Sequence, residues 1–229
     1  MIIGGIQKLS LIDYPGHSAA VIFTVGCNFR CGYCHDAELV LPERHPTAMP
    51  IEDVFNFLQK RQGKLDAVVV CGGEPTIHDD LPEFIHSIKQ LGFLVKLDSN
   101  GTRPDMLSKI IANNDVDFIA MDIKGPLWKY STIASRPVDG DAIKNSISLI
   151  IKSGVDHEFR TTVVKELLDV KDFDEIGKMV NGAERFALQK FMPAKTLNPQ
   201  FTRKFAYSDA EMETIRKKMS KYVKMCVVR

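Results

Sequence analysis

The sequence predicts an α/β protein whose strands form a parallel sheet. Six apolar runs of strand length alternate with segments in which apolar residues recur at helical spacing. This alternation is typical of repeated strand–helix units, which place their strands side by side and parallel. The 229 residues are enough for one domain with a large core, and we expect a single domain over 1–229. The pattern alone leaves open whether the sheet is doubly wound or a partial barrel.

The predicted elements follow one another without a low-complexity segment or a sharp domain boundary. Strands are predicted at 19–25, 66–71, 93–98, 116–121, 157–164 and 185–191. Helices are predicted within 51–58, 81–91, 106–111, 143–151, 173–180 and 212–222, the last one capped by Ser208 or Asp209. The remaining segments are expected to be a leader or edge strand at 1–18, a loose loop at 125–139, and a loop with the last helix at 193–229.

The composition excludes several classes of protein. Lys and Arg number 30 against 29 Asp and Glu, so the chain has neither the basic surface typical of nucleic-acid binding nor a polybasic patch for membranes. No apolar run approaches the roughly 20 residues that a membrane-spanning helix needs. The first residues lack the order of a signal peptide, and the 5 cysteines do not form a disulfide framework. We therefore expect a cytoplasmic protein.

Three cysteines lie close together directly after the first predicted strand. Cys27, Cys31 and Cys34 have the spacing C-x3-C-x2-C, and Gly26 ends the strand before them. Thiolates are soft ligands that suit an iron–sulfur cluster or zinc. A 4Fe–4S cluster of the ferredoxin type takes four cysteines, so three would leave one iron open, as in a catalytic metal site. The competing interpretation is a zinc site completed by His35 or by a distant residue.

The other two cysteines are far away in the sequence. We expect Cys71 to be a small core residue and Cys226 to be an inert or surface thiol. Because 36–65 contains no cysteine, the sequence predicts no additional cluster.

Polar groups recur at the predicted strand ends. Gly72-Gly73-Glu74-Pro75 follows the second strand, Asp98-Ser99-Asn100-Gly101 ends the third, and Asp122-Ile123-Lys124 ends the fourth. Arg160 lies in the fifth strand and Gln189 in the sixth. In parallel α/β folds, ligands bind at the carboxyl ends of the strands. This edge of the sheet is therefore the predicted ligand site.

These motifs resemble those of the radical S-adenosylmethionine (radical SAM) superfamily. The cysteine loop is similar to the superfamily signature, including the aromatic Tyr33 before the last cysteine, and residues 72–75 are similar to its G-G-E-P motif. Residues 98–101 resemble the D-T-N-G, and residues 122–124 the L-D-[LI]-K, of glycyl-radical activating enzymes. Within that group the chain is most similar to activating proteins of the anaerobic ribonucleotide reductase type.

The resemblance implies a fold, two cofactors and two partners. The fold would be a partial (β/α)6 barrel of the TIM type, and the three cysteines would hold a 4Fe–4S cluster whose open iron binds S-adenosylmethionine. Reductive cleavage of that cofactor would give a 5′-deoxyadenosyl radical, which removes a hydrogen atom from a glycine Cα of a glycyl-radical enzyme. The electron would come from a flavodoxin or ferredoxin, and no side chain would need to act as a general acid or base.

The resemblance also implies cofactor contacts. By the match, Lys124 would face the cofactor carboxylate, and Asn100 would help to hold its ribose or methionine end. Arg160 would be an inward charge that needs an anionic partner, which the carboxylate could supply. The full set of implied cofactor-binding residues is Tyr33, Gly72, Gly73, Glu74, Ser99, Asn100, Lys124, Arg160 and Gln189.

A monovalent cation is predicted between the third and fourth strands. If Asp98 and Asp122 both point at the cofactor carboxylate, three carboxylates would meet, and Lys124 would offset only one charge. A bound cation could balance the rest, held by Asp98, Ser99, the Ala120 carbonyl, Asp122 and the cofactor itself. The resemblance to glycyl-radical activating enzymes implies a monovalent ion such as sodium or potassium. The alternative is that the two aspartates cap adjacent helices and never meet.

Two other functions remain open from the sequence. The first keeps the radical chemistry but acts on a small molecule, as in the short 7-carboxy-7-deazaguanine synthases. The second is a non-catalytic iron–sulfur or zinc module for electron transfer or scaffolding. An open rim at the strand ends, covered only by 125–139 and 193–206, favours a protein substrate over a small molecule.

Overall fold

The computed structural model describes residues 1–229. Strands β1 to β8 span Ile3–Ser10, Ala19–Thr24, Ala67–Gly72, Leu94–Ser99, Phe118–Asp122, Asp156–Val163, Arg185–Lys190 and Met225–Val228. Helices α1 to α8 span Ala37–Val40, Ile51–Gln59, Leu81–Gln90, Pro104–Ala112, Leu127–Ala134, Gly140–Lys152, Asp172–Met179 and Asp209–Met219. The strands form one sheet in chain order, which confirms the predicted α/β class with a mostly parallel, unclosed sheet. None of the helices is long and apolar enough to cross a membrane.

Two compact units make up the chain. The N-terminal unit comprises 1–28, 36–99 and 103–119, and the C-terminal unit comprises 29–35, 100–102 and 120–229. The residues of the cysteine loop are divided between the two units. Cys27 belongs to the N-terminal unit, and Cys31 and Cys34 belong to the C-terminal unit.

The N-terminal unit is built on β2, β3 and β4, which pair in parallel, with β1 antiparallel at the edge. The apolar runs of β2 and β3 are almost wholly buried, as expected of strands covered on both faces. Helices α2 and α3 bury the apolar stripes that predicted them, for example Val54 with Leu58 and Ile85 with Ile88. Strand β1 is an edge strand at Ile3–Ser10, within the residues 1–18 that were expected to be a leader or an edge strand.

The C-terminal unit contains the parallel strands β6, β7 and β8. Its last helix, α8, begins after Ser208, whose side chain accepts the backbone N–H of Glu211 while Glu211 accepts the backbone N–H of Ser208. This reciprocal cap confirms Ser208, one of the two caps predicted from the sequence.

Two elements of this unit differ from the sequence prediction. Residues 127–134 of the expected loose loop form helix α5, and residues 225–228 form β8 beyond the last predicted helix. Cys226 lies in β8 opposite Phe186 and is 7 % exposed, so the expectation of a surface thiol is wrong. The four residues of β8 are all apolar and therefore show no period-2 alternation. Cys226 is buried where this strand pairs with β7.

Candidate functional site

Two glycines at the end of β3 make room for the strand end that leads into the first cysteine. Gly72 has a φ of +119°, and a Cβ there would lie 2.4 Å from the backbone N and O of Thr24. A Cβ on Gly73 would lie 1.8 Å from the carbonyl oxygen of Gly26. Gly73 N donates to Thr24 O at 2.9 Å, and Glu74 N donates to Gly26 O at 2.8 Å. The glycines predicted to let a cofactor approach therefore also fix the residue that precedes the cysteine ligand.

The Glu74 carboxylate ties the end of β3 to the end of β4. It is buried, and its Oε1 accepts from Thr76 N at 3.1 Å, from Thr76 Oγ1 at 2.5 Å and from Ser99 Oγ at 2.9 Å. The structure thus brings together Glu74 and Ser99, two of the predicted cofactor-binding residues. Their contact with the cofactor itself remains a prediction.

Asp98 has a basic partner that the sequence reasoning missed. Lys96 Nζ donates to Asp98 Oδ1, and Lys96 is only 2 % exposed. The Lys96 ammonium also lies 6.0 Å from the centroid of the Phe118 ring, within cation–π range. The available signal was the spacing of two residues, which places Lys96 and Asp98 on one face of β4.

In the C-terminal unit, helix α5 contacts the remainder of the cysteine loop. Cys34 N donates to Cys31 O at 3.0 Å, which closes a tight turn between these two cysteines. Arg30 N donates to Ala134 O at the end of α5, at 2.8 Å. Residues 125–139 were expected to form a loose loop. They instead contain helix α5, whose last residue, Ala134, holds the cysteine loop at Arg30.

Residues 192–205, here called the cover segment, hold the same loop by backbone contacts. Leu197 N donates to Cys34 O at 2.7 Å, and Asn198 N donates to Gly32 O at 3.0 Å. A Cβ on Gly32 would lie 2.4 Å from the Phe201 ring, so only glycine allows this ring to pack on the loop.

His35 adds a side-chain contact to the same segment. Its Nε2 donates to the Met192 carbonyl at 2.9 Å, and its ring stacks on Phe191 with centroids 6.3 Å apart. The histidine proposed as the fourth ligand of a zinc site is thus engaged with the residues that follow β7.

Two cations converge on Asp122 at the end of β5. Arg160 Nε donates to Asp122 Oδ1 at 2.5 Å, and Lys124 Nζ donates to Oδ2 at 2.9 Å. Burial raises the pKa of the Asp122 carboxyl, but the two cations outweigh burial and hold that pKa well below its usual range. Burial lowers the pKa of Lys124, and Asp122 reverses this effect so that the pKa lies well above its usual value. The three charged groups therefore sum to one net positive charge.

Two tyrosines border this ion cluster. Lys124 Nζ lies 5.9 Å from the centroid of the Tyr33 ring, and Tyr130 Oη donates to the Asp122 carbonyl at 3.2 Å. Burial raises the pKa of both phenols, so both stay neutral. The structure thus brings together four predicted residues, namely Tyr33, Asp122, Lys124 and Arg160.

The other predicted residues of this unit are Asn100, Ala120 and Gln189. Asn100 Oδ1 accepts from Thr102 N at 3.0 Å and from Thr102 Oγ1 at 2.7 Å, in a turn that the side chain stabilises. Ala120 is fully buried in β5. Gln189 lies in β7, in register with Thr162 of β6.

The two aspartates predicted to hold a monovalent cation are both paired with basic side chains. Lys96 contacts Asp98, and Arg160 with Lys124 contacts Asp122. From the sequence, Lys124 was the only positive charge expected to offset the carboxylates. Because these basic side chains already balance the two aspartates, charge balance alone gives no reason for a cation. The cation site stays a prediction.

The donor set suits an iron–sulfur cluster and S-adenosylmethionine. All three cysteines of the loop are free thiols, the form that such a cluster requires. Burial raises the pKa of the Cys31 thiol and the Lys124 ammonium opposes that change, while binding to a metal would itself favour the thiolate. The net positive charge around Asp122 suits a carboxylate such as that of S-adenosylmethionine.

Comparisons with known proteins agree with this assignment. The model of the radical SAM superfamily matches residues 21–180. A protein of Methanocaldococcus jannaschii, named as a candidate glycyl-radical enzyme activating enzyme, is 36 % identical over 233 residues, which cover 100 % of this chain and 95 % of that protein. A Thermococcus kodakarensis protein, named as a candidate GTP 3′,8-cyclase, is 27 % identical over 84 % of this chain and 63 % of its own length.

A solved structure shows the same fold. The crystal structure of Streptococcus suis SuiB bound to S-adenosylmethionine has a TM-score of 0.66 and 14 % identity, covering 90 % of this chain and 51 % of SuiB. At this identity the similarity is one of fold.

Proposed function

Because the chain belongs to the radical SAM superfamily, we propose that it activates a glycyl-radical enzyme of the anaerobic ribonucleotide reductase type. The observation that carries this proposal is the similarity to the Methanocaldococcus jannaschii candidate activating enzyme, which extends over the whole of this chain. The family implies a 4Fe–4S cluster and S-adenosylmethionine as cofactors. When bound, they supply a 5′-deoxyadenosyl radical that removes a hydrogen atom from a glycine Cα of the partner, at the expense of one electron from a flavodoxin or ferredoxin.

The protein's own residues position and shield these groups. Cys27, Cys31 and Cys34 are the proposed cluster ligands, and the backbone at Gly72 and Gly73 fixes the strand end before the first of them. The loop is held at Arg30 by the end of α5, and the turn between the second and third cysteine is held at Gly32 and Cys34 by the cover segment.

The ion cluster at Asp122 is the proposed site of the cofactor carboxylate. Lys124 and Arg160 supply the two positive charges, and Asp122 keeps both side chains in place through hydrogen bonds. Tyr33 lies over Lys124 and helps to exclude water from it. In this role Asp122 is a positioning residue, and the reaction needs no proton transfer by these side chains.

The test is anaerobic reconstitution followed by two measurements. Protein loaded with iron and sulfide and given a reductant should release 5′-deoxyadenosine from S-adenosylmethionine. Mixing with an anaerobic ribonucleotide reductase should then give a glycyl-radical doublet in electron paramagnetic resonance. Lys124→Gln should lose most of both signals, whereas Lys144→Gln, at an exposed position on α6, should keep them.

Other outcomes would assign a different function. Turnover of a purine precursor without a doublet signal would replace the activase with a small-molecule enzyme. Bound zinc, or an iron–sulfur protein that never forms 5′-deoxyadenosine, would instead leave a non-catalytic module.

A further inference from the structure

Lys96 is a charged residue in the interior of the N-terminal unit. It lies near the middle of β4, in register with Val69 of the parallel strand β3, and it is only 2 % exposed. Neither the proposed cluster ligands nor the ion cluster at Asp122 includes it. A lysine is almost never fully buried unless its ammonium is paired, because removing the charge from water is unfavourable. The partner of Lys96 therefore indicates what its charge does.

That partner is Asp98, two residues further along the same strand. This spacing puts both side chains on one face of β4, and the ammonium donates to Asp98 Oδ1. The side chain of Asp98 is 14 % exposed, so the ion pair is largely shielded from water. Salt screens a buried pair much less than an exposed one. The charge of Asp98 is thus balanced in the folded protein at any ordinary salt concentration.

An aromatic ring borders the ammonium as well. Lys96 Nζ lies 6.0 Å from the centroid of the Phe118 ring, which is itself buried. The Phe118 ring in turn contacts the buried Tyr14 ring, with centroids 5.6 Å apart. Aromatic faces stabilise a cation without carrying a charge of their own. The surroundings of Lys96 therefore suit a single positive charge that is held out of water.

A second lysine–aspartate pair of the same unit is more exposed. Asp117 accepts from Lys89 Nζ at 2.8 Å and from Val95 N at 2.6 Å. The side chains of Lys89 and Asp117 are 24 % and 28 % exposed. The pair has the same chemistry as Lys96 with Asp98 but retains contact with water, so it provides a matched control.

We propose that Lys96 is the built-in counter-cation of Asp98 and takes the place of a bound metal ion there. A monovalent ion is predicted from the sequence with Asp98 among its ligands, and an ammonium carries the same single charge on a compact head. A metal ion on this carboxylate would also be repelled by the ammonium beside it. The chain therefore carries the cation covalently, and Lys96 is a positioning residue that fixes the charge of Asp98.

This role would serve the strand end at which the cofactor is expected. Asp98 is followed by Ser99, whose hydroxyl donates to the buried Glu74 carboxylate at 2.9 Å. An unbalanced charge at Asp98 would displace this strand end and with it two predicted cofactor-binding residues. The inference goes beyond the proposed function, because it states which ion the protein does not need, whatever molecule the radical attacks.

The experiment is a chemical rescue on the reconstituted full-length protein. Lys96→Ala removes the ammonium and the stem beyond Cβ, which together correspond to propylammonium. The parent, this variant and Lys89→Ala are compared at fixed ionic strength in the chlorides of tetramethylammonium, sodium, potassium and propylammonium. A further sample contains tetramethylammonium with 1-propanol, an uncharged molecule of similar length. The readouts are the midpoint of thermal unfolding and the rate of 5′-deoxyadenosine release.

The parent should have the same midpoint and rate in tetramethylammonium, sodium and potassium. Lys96→Ala should unfold about 6 °C or more below the parent in tetramethylammonium, because removing one partner of a buried pair leaves the other charge uncompensated. Propylammonium should restore much of this loss, and 1-propanol should not. The rate of Lys96→Ala should be about 10-fold or more higher in propylammonium than in tetramethylammonium, since small displacements slow reactions by up to about 100-fold. Lys89→Ala should respond to the cations as the parent does.

A second variant keeps the test open if Lys96→Ala does not fold. Lys96→Met retains an apolar stem without the charge and should also have a lower midpoint. Adding Asp98→Asn removes the uncompensated carboxylate, so the double variant should regain part of the loss and should not respond to the choice of cation.

Three results would overturn the inference. The first is a parent that unfolds earlier or reacts more slowly in tetramethylammonium than in sodium or potassium, which would show a bound metal ion beside Lys96. The second is equal recovery of Lys96→Ala in 1-propanol and propylammonium, which would report filling of space alone. The third is a midpoint of Lys96→Ala equal to that of the parent in tetramethylammonium. A parent that releases no 5′-deoxyadenosine would refute the proposed function instead, and the midpoints would still decide the role of Lys96.

Discussion

At the scale of single residues, Asp122 shows how one carboxylate organises two cations. Replacing it by Asn removes the charge that Arg160 and Lys124 share while keeping the shape of the side chain. Hydrogen bonds between charged groups contribute about 1.5–3 kcal/mol, so we expect Asp122→Asn to lower the free energy of unfolding by about 2 kcal/mol. Urea titration at neutral pH measures this loss. Asp141→Asn, at an exposed pair on α6, should change stability by less than about 0.5 kcal/mol.

The stability difference between the parent protein and Asp122→Asn should also depend on pH. The pKa of Asp122 is depressed in the folded state, so its contribution is complete above the unfolded pKa of about 3.9 and is lost as the pH falls below that value. The stability difference between the parent and Asp122→Asn should therefore be constant from pH 7 to about pH 5. It should shrink by up to about 1.4 kcal/mol for each pH unit below about pH 4. A difference that stays constant down to pH 3 would contradict the role of the charge.

The cysteines give a second prediction at this scale. Cys31→Ala should abolish the release of 5′-deoxyadenosine and lower the iron bound after reconstitution, because a proposed ligand is lost. Cys71→Ala, in β3, is the control and should retain both. Activity in Cys31→Ala, or zinc in the reconstituted parent, would remove the basis of the radical mechanism.

Residue identity could be predicted from the sequence better than residue contacts could. Lys124 and Arg160 were both expected to face an anion, and the structure places them on Asp122, an anion of the chain itself. The ion pair of Lys96 with Asp98 was missed because the sequence does not show which side of the sheet a lysine in a strand faces. Contacts of this kind depend on packing, which a motif does not contain.

At the scale of elements, the turn after β3 shows why one motif needs two glycines. Gly73→Ala would place a Cβ 1.8 Å from the Gly26 carbonyl. Overpacking of this kind costs about 1–3 kcal/mol, and here it would move the strand end that precedes Cys27. We expect lower thermal stability together with reduced binding of iron.

Gly5→Ala is the matched control for that change. Gly5 lies in β1 with nothing within 4 Å of its ideal Cβ, and its φ is not positive. It should therefore bind iron like the parent protein. Normal iron content in Gly73→Ala would show that the turn tolerates displacement and that the glycine serves the cofactor alone.

Elements with a regular pattern and sufficient length were predictable, and short ones were not. The six central strands and six amphipathic helices occur where they were predicted and bury most of the apolar residues that predicted them, although Ile51, Phe55 and Ile151 are only partly buried and the fourth strand begins at Phe118 rather than at 116. Helix α5 was hidden because Pro126 and the polar residues of Leu127–Ala134 resemble a loop. Strand β8 is stabilised by its pairing with β7 rather than by a pattern of its own.

At the scale of the whole molecule, the predicted class followed from the repetition of strand and helix, since a parallel sheet requires a crossover between neighbouring strands. The choice between an open doubly wound sheet and a partial barrel came from the resemblance to a family. The sheet is unclosed with eight strands in chain order, and two of these, β1 and β8, lie outside the six predicted units. The partner protein is outside the reach of both sequence pattern and fold, since many radical SAM reactions share this architecture.

The number of clusters is a property of the whole chain, and we expect one. Only Cys71 and Cys226 remain outside the cysteine loop, and each lies in a strand, β3 and β8 respectively. A second 4Fe–4S cluster of the ferredoxin type would need four cysteines. Iron analysis of the reconstituted protein should therefore give about four irons per chain, and Cys71→Ser combined with Cys226→Ser should leave that value unchanged. Burial raises the pKa of the Cys226 thiol to about 11, so without a metal this thiol stays protonated at neutral pH. A reproducible value near eight irons per chain, or a loss of iron in the double variant, would show a second cluster that draws on these cysteines.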